Sequence, residues 1–161
     1  MQIQEHAISN TPALLDDEEV LNWASRILFS RLKRQGKVSN PASAVDFLRS
    51  KLGAREREVF AVIYLSNSNE IIEYKELFFG TINAASVYPR EVVKDVLKSN
   101  AANVILAHNH PSGSCDISDA DRYITKKLID ALALIDVQIL DHIVIGDSYA
   151  SFAERGIINT L

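Results

Sequence analysis

The apolar positions of this chain change period several times, and each change marks an element. Val20, Leu21, Ala24, Ile27, Leu28 and Leu32 recur at helical spacing, which predicts a helix over 16–34 with those residues facing inward. Asp16, Asp17, Glu18 and Glu19 open it, and Arg31, Lys33, Arg34 and Lys37 close it, as the helix dipole favours. Gly36 is its expected stop. Residues 1–16 are polar and read as an irregular arm with a turn at Asn10-Thr11-Pro12. Asn40 and Pro41 suit the N-cap and first position of a second helix over 42–53, with Ala44, Val45, Phe47 and Leu48 apolar and Gly53 at its end.

The run Val59-Phe60-Ala61-Val62-Ile63-Tyr64-Leu65 has no polar alternation and predicts a central strand buried on both faces. A turn at Ser66-Asn67-Ser68-Asn69 returns the chain as a second strand over 71–79, closing a hairpin. A short third strand is expected over 84–87. Pro89 then opens a helix to Lys98 with Val92, Val93, Val96 and Leu97 inside. A strand over 103–107 delivers His108. Ser118 suits the N-cap of the next helix, with Asp119 and Asp121 in its first turn and Ile117, Ala120, Ile124, Leu128, Ala131, Leu132 and Ile135 on one face. Apolar runs at 137–140 and 143–145 make another strand bent near Asp141-His142, and 149–152 makes a last short one. The alternation predicts a mixed α/β protein, in the broad sense that includes α+β, with helices covering a curved sheet.

Composition narrows the class. The chain has 161 residues, 47% of them hydrophobic and 24% charged, values ordinary for a globular protein with a real core. The net charge of −4 argues against standing affinity for nucleic acid, which needs a basic footprint. The basic residues near 31–37 read as a solvated helix end. A single cysteine permits no intrachain disulfide and points to a reducing, cytoplasmic setting. The N-terminus has no signal-like pattern, and no apolar run approaches the roughly 18 residues of a membrane span.

The candidate chemistry lies at one strand–loop–helix junction. His108 and His110 are two residues apart on an extended segment and face one side, while Asp121 sits in the first turn of the helix that follows. Two imidazoles and a carboxylate are the three-ligand set of a catalytic zinc site, which keeps one position open for water. Spacing by itself leaves both readings open, a metal site or an incidental histidine pair. Ser118 would face the same place, as a cap, as an oxyanion donor, or as both. A hydrolytic site also needs a base to receive the water's proton. Neither an H-E-x-x-H helix nor a P-C-x-x-C segment is present, so the common zincin and deaminase arrangements do not apply.

The spacing His108-x-His110, seven residues, Ser118, two residues, Asp121 resembles the JAMM signature of MPN-domain metalloproteases. The surrounding stretches are similar to the RadC family, the UPF0758-like proteins: Gly80-Thr81-Ile82-Asn83, 87–92, Asn100-Ala101-Ala102, 105–113 and 141–144. The resemblance covers about residues 42–158 and is to short members, with no room before residue 42 for a helix-hairpin-helix region. It implies the MPN/JAB, cytidine-deaminase-like fold, a mixed curved sheet flanked by helices. It divides the chain into an N-terminal arm and helix, 1–41, and a JAMM domain, 42–161. It implies Zn2+ held by His108, His110 and Asp121, with Ser118 assisting the oxyanion and a glutamate near the start of the core strand as general base. Glu58 fits that position best, with Glu56 its nearest rival. The family usually has proline where this chain has Ile117, which predicts a different loop path and no lost ligand. Cys115 is either a competing thiolate or a bystander, and His142 either a partner to a ligand or a core histidine.

The expectation is therefore a zinc-dependent hydrolase of peptide or isopeptide bonds, acting on an unidentified peptide or protein substrate and with no membrane partner. Two alternatives come from other classes. One is a DNA-repair-associated protein or nuclease, against which the acidic charge counts. The other is a non-catalytic MPN scaffold, against which the intact ligand set counts.

Overall fold

A computed structural model describes residues 16–80 and 87–161. The strand expected over 84–87 falls mostly outside them, and Val87 itself is buried in a bend. The elements are α1 (Asp17–Arg34), α2 (Val45–Leu52), β1 (Val59–Leu65), β2 (Ile71–Phe79), α3 (Pro89–Ser99), β3 (Asn103–Asn109), α4 (Asp119–Ala133), β4 (Gln138–Ile145) and β5 (Tyr149–Ser151). The strands form one sheet in the order β2-β1-β3-β4-β5. Every neighbouring pair is antiparallel except β3 and β4, which run parallel and are joined through α4. A parallel pair needs such a crossover, and it leaves the carboxyl end of β3 open beside the amino end of α4.

The sheet is buried on both faces, which is why β1 is apolar without interruption. On one face Ala61, Ile63, Ile105, Ala107, Ile143 and Ile145 pack with Phe47, Leu48 and Leu52 of α2 and Leu32 of α1. On the other, Phe60, Val62, Tyr64, Val104 and Leu106 pack with Val92 and Val96 of α3 and Ile124, Leu128 and Leu132 of α4. Since side chains alternate along a strand, residues with the parity of Leu106 face the second layer. His108 is one of them.

Several expectations from the sequence need correction. The second helix begins later than 42: Pro41–Ala44 form a 3-10 turn, with the Ser43 amide and hydroxyl both donating to the Asn40 carbonyl (2.9 and 2.7 Å), and the α-helix starts at Val45 with Ala44 as its cap. The bend in β4 comes from a bulge before Asp141, where Val104 pairs Ile139 and Ile105 pairs Asp141, so Leu140 is the extra residue and the strand continues unbroken. The apolar stripe of α1 is only partly inward. Leu32 is buried, while Val20, Leu21 and Ile27 are exposed, because α1 lies on the short α2 and only its last turns reach the sheet core. Among the described residues no helix is long and apolar enough to cross a membrane.

Candidate metal centre

β3 carries His108 and Asn109 at its end, and His110 follows on the same backbone course, its amide donating to the Ile145 carbonyl at 2.8 Å. α4 begins with a capping box. The Ser118 hydroxyl accepts from the Asp121 amide (3.1 Å), and the Asp121 carboxylate accepts from the Ser118 amide (2.8 Å). That reciprocal pair aims the Asp121 side chain back along the helix toward β3. His108 Nε2 is 3.2 Å from one carboxylate oxygen of Asp121, His110 Nε2 is 3.7 Å from the other, and the two Nε2 atoms are 2.9 Å apart. His108 and Asp121 are buried, and His110 is half-buried at the mouth.

The donor set fits a cation. His110 Nδ1 lies 3.0 Å from the Ser114 carbonyl, which can only accept, so Nδ1 carries the proton and the Nε2 lone pair points inward. Burial by itself would raise the Asp121 carboxyl, but the His108 ring beside it, then the hydroxyl and amide of Ser118, hold it well below the ordinary carboxylate range. A carboxylate and imidazole nitrogens packed this closely need a positive charge among them. The three ligand atoms lie within 4.8 Å of one another, and this is the group of three His, Cys, Asp or Glu found among the described residues that could hold a metal ion.

Behind the cluster stands a second layer of contacts. His108 Nδ1 is 2.8 Å from His142 Nε2, and His142 Nδ1 is 2.6 Å from the Thr125 hydroxyl, which itself donates to the Asp121 carbonyl at 2.5 Å. His142 stacks on Phe152 and meets the edge of Phe60. Burial first, then the neighbouring His108, keeps its pKa well below the usual histidine value, so the ring is neutral. Next to it, burial pushes the Asp141 carboxyl up despite donors from the Ser151 hydroxyl and the amides of Ala153 and His142, which tie β4 to the segment after β5.

Of the residues expected from sequence, His108, His110 and Asp121 come together and Ser118 caps the helix at their side. Glu58 is half-buried immediately before β1, its carbonyl accepting from the Gly80 amide (2.8 Å), and Glu56 is exposed. Cys115 is not in the cluster and packs toward Val144 and Phe152, as does Ile117, which thus belongs to the loop rather than to the helix face. Sequence reasoning missed two residues. Thr125 was readable as a polar position on the buried face of α4, four residues after Asp121. Asn109 gave no local signal. Its side chain accepts from the Val59 amide (2.7 Å) and donates to the Arg57 carbonyl (3.1 Å), fastening the chain on either side of Glu58 to β3.

This fold and this cluster define a class, and comparison with known proteins agrees. The chain belongs to the RadC-like JAB domain family, whose pattern it matches over residues 38–157. It is similar to UPF0758 proteins. One from Vibrio cholerae serotype O1 is 58% identical over 140 residues, covering 87% of this chain and 89% of that protein. Another from Tolumonas auensis is 53% identical over 140 residues, covering 86% of this chain but only 62% of the relative's length.

Proposed function

We propose that this protein is a zinc-dependent hydrolase of peptide or isopeptide bonds. The observation that carries the reading is the convergence of His108 Nε2, His110 Nε2 and the Asp121 carboxylate at the open end of β3. Zinc with bonds of about 2.0–2.1 Å in a tetrahedron holds its ligand atoms about 3.3 Å apart. The two Nε2 atoms, 2.9 Å apart, and the nearer carboxylate oxygen, 3.2 Å from His108 Nε2, stand close to that value, and the three ligand atoms lie within 4.8 Å of one another. The metal, when bound, supplies an activated water near neutral pH and polarises the scissile carbonyl.

The chain's own groups would do the rest. Glu58 accepts the water's proton and returns it to the leaving amine. Its position supports this: Phe60 pairs with His108, and the same register continued two residues outward sets Glu58 across from His110. The Ser118 oxygen is engaged as a helix cap, which leaves its hydroxyl hydrogen to stabilise the developing oxyanion. Ser118 is exposed beside the cluster, where a substrate would have to enter.

The test is the metal content of the purified protein by elemental analysis, beside a His108→Ala/His110→Ala control. About one zinc per chain, lost in the control, is the expected result. No zinc in either, and none taken up from added zinc, overturns the proposal and leaves the histidines structural.

A further inference from the structure

The two residues behind the cluster form a chain of hydrogen bonds whose direction is fixed. Two oxygens 2.5 Å apart, the Thr125 hydroxyl and the Asp121 carbonyl, must have a hydrogen between them, and only the hydroxyl can give it. The Thr125 oxygen therefore accepts from His142 at its other side, which puts the His142 proton on Nδ1. In a neutral ring, the form that full burial between Phe60 and Phe152 favours, His142 Nε2 is then an acceptor, and the contact of 2.8 Å requires His108 to donate from Nδ1. The lone pair of His108 is left on Nε2, the atom that faces His110 and Asp121. His108, His142 and Thr125 are all fully buried, so water offers no substitute partner. Phe60 and Phe152 flank His142, and an apolar side chain would serve packing there at least as well. What the imidazole adds is this pair of directed bonds.

We propose that Thr125 and His142 are positioning residues that set the ring tautomer of His108 and thereby the affinity of the site for its cation. The inference rests on the metal-centre reading above. It also links three elements: α4 carries Thr125 and Asp121, β4 carries His142 and β3 carries His108. Thr125 also holds the backbone carbonyl of Asp121, whose carboxylate is aimed by the Ser118 amide.

The experiment is a zinc titration of metal-free protein against a chromophoric chelator, for the wild type and for Thr125→Val, Thr125→Ser and His142→Phe, with the thermal midpoint of each metal-free protein measured alongside. Loss of a partner that orients a ligand typically weakens metal binding by about 10–100-fold. That loss is expected for Thr125→Val and His142→Phe, with affinity restored to within a few-fold in Thr125→Ser. A structural role alone would lower the midpoint and leave affinity unchanged. Tight zinc binding by the wild type with equal affinity in the two deletion variants overturns the relay while the metal centre stands. No zinc binding by the wild type overturns both. If the variants do not fold, nitrogen-15 spectra of the histidine rings in zinc-loaded wild type decide. A proton on His142 Nδ1 supports the relay, and one on Nε2 overturns it.

Discussion

At the scale of single residues, roles follow from what each side chain touches. His108, His110 and Asp121 supply lone pairs to one point, and Ser118 holds Asp121 in place by the same capping contact that starts α4. Glu58 differs from them, because its proposed task is to carry a proton rather than to bind. Glu58→Gln keeps shape and removes basicity. It should retain about one zinc per chain and lose about 10²–10⁴ in the rate of peptide or isopeptide cleavage, the usual worth of a general base. A full rate in the glutamine variant, measured on a substrate that the wild type cleaves, sinks that role. The four junction residues were legible because they lie within fourteen positions and their spacing is a local property. Thr125 stood out only as a polar position on the buried face of α4, and its role was not legible, because a hydroxyl there has no meaning until His142 is known to sit opposite.

At the scale of elements, the site depends on how the loop after His110 is held. The Asp147 amide donates to the Gly113 carbonyl at 2.8 Å, so the loop leans on the turn between β4 and β5. That contact is close. A Cβ on Gly146 would lie 2.4 Å from the Gly113 oxygen and 2.6 Å from the Ser114 oxygen, the acceptor that orients His110. Gly146→Ala must therefore push the loop's backbone away. We expect zinc affinity to fall by at least about tenfold, as when a ligand loses its orienting partner, with the fold kept by far-ultraviolet circular dichroism. Unchanged affinity would show that the loop adapts without moving Ser114. Among the described residues, the helices and strands were readable from period. Errors fell at the 3-10 turn before α2, at the bulge in β4, on the outer half of α1, at Leu97 of α3, which is exposed, and at Ile117, which lies in the loop before α4. Each depends on what packs against the segment, and period is blind to that.

At the scale of the whole molecule, two apolar layers stand on either side of the sheet, and neither uses the cluster. The fold should therefore survive removal of the metal, unlike that of a small metal-dependent domain. Zinc bound as proposed would stabilise the native state by mass action, by about 2.7 kcal/mol when free zinc is 100 times its Kd. For a chain of this size that is about 5–10 °C in Tm. Chelation followed by calorimetry should show that drop with the transition still cooperative. Unfolding at room temperature on chelation would instead make the site structural.

The sequence by itself determined the candidate ligand set, the helix start that aims Asp121, the buried central strand and the mixed α/β class. All of these rest on residues close together in the chain. Tertiary structure decided which groups stand behind the ligands. His142 meets His108 across 34 residues, Thr125 meets His142 across 17, and Asn109 fastens Val59 across 50. Strand order made those neighbours. Local propensity and period carry information over a few residues, whereas strand pairing is chosen by the burial of whole faces, so a histidine's partner is fixed only when the sheet is assembled.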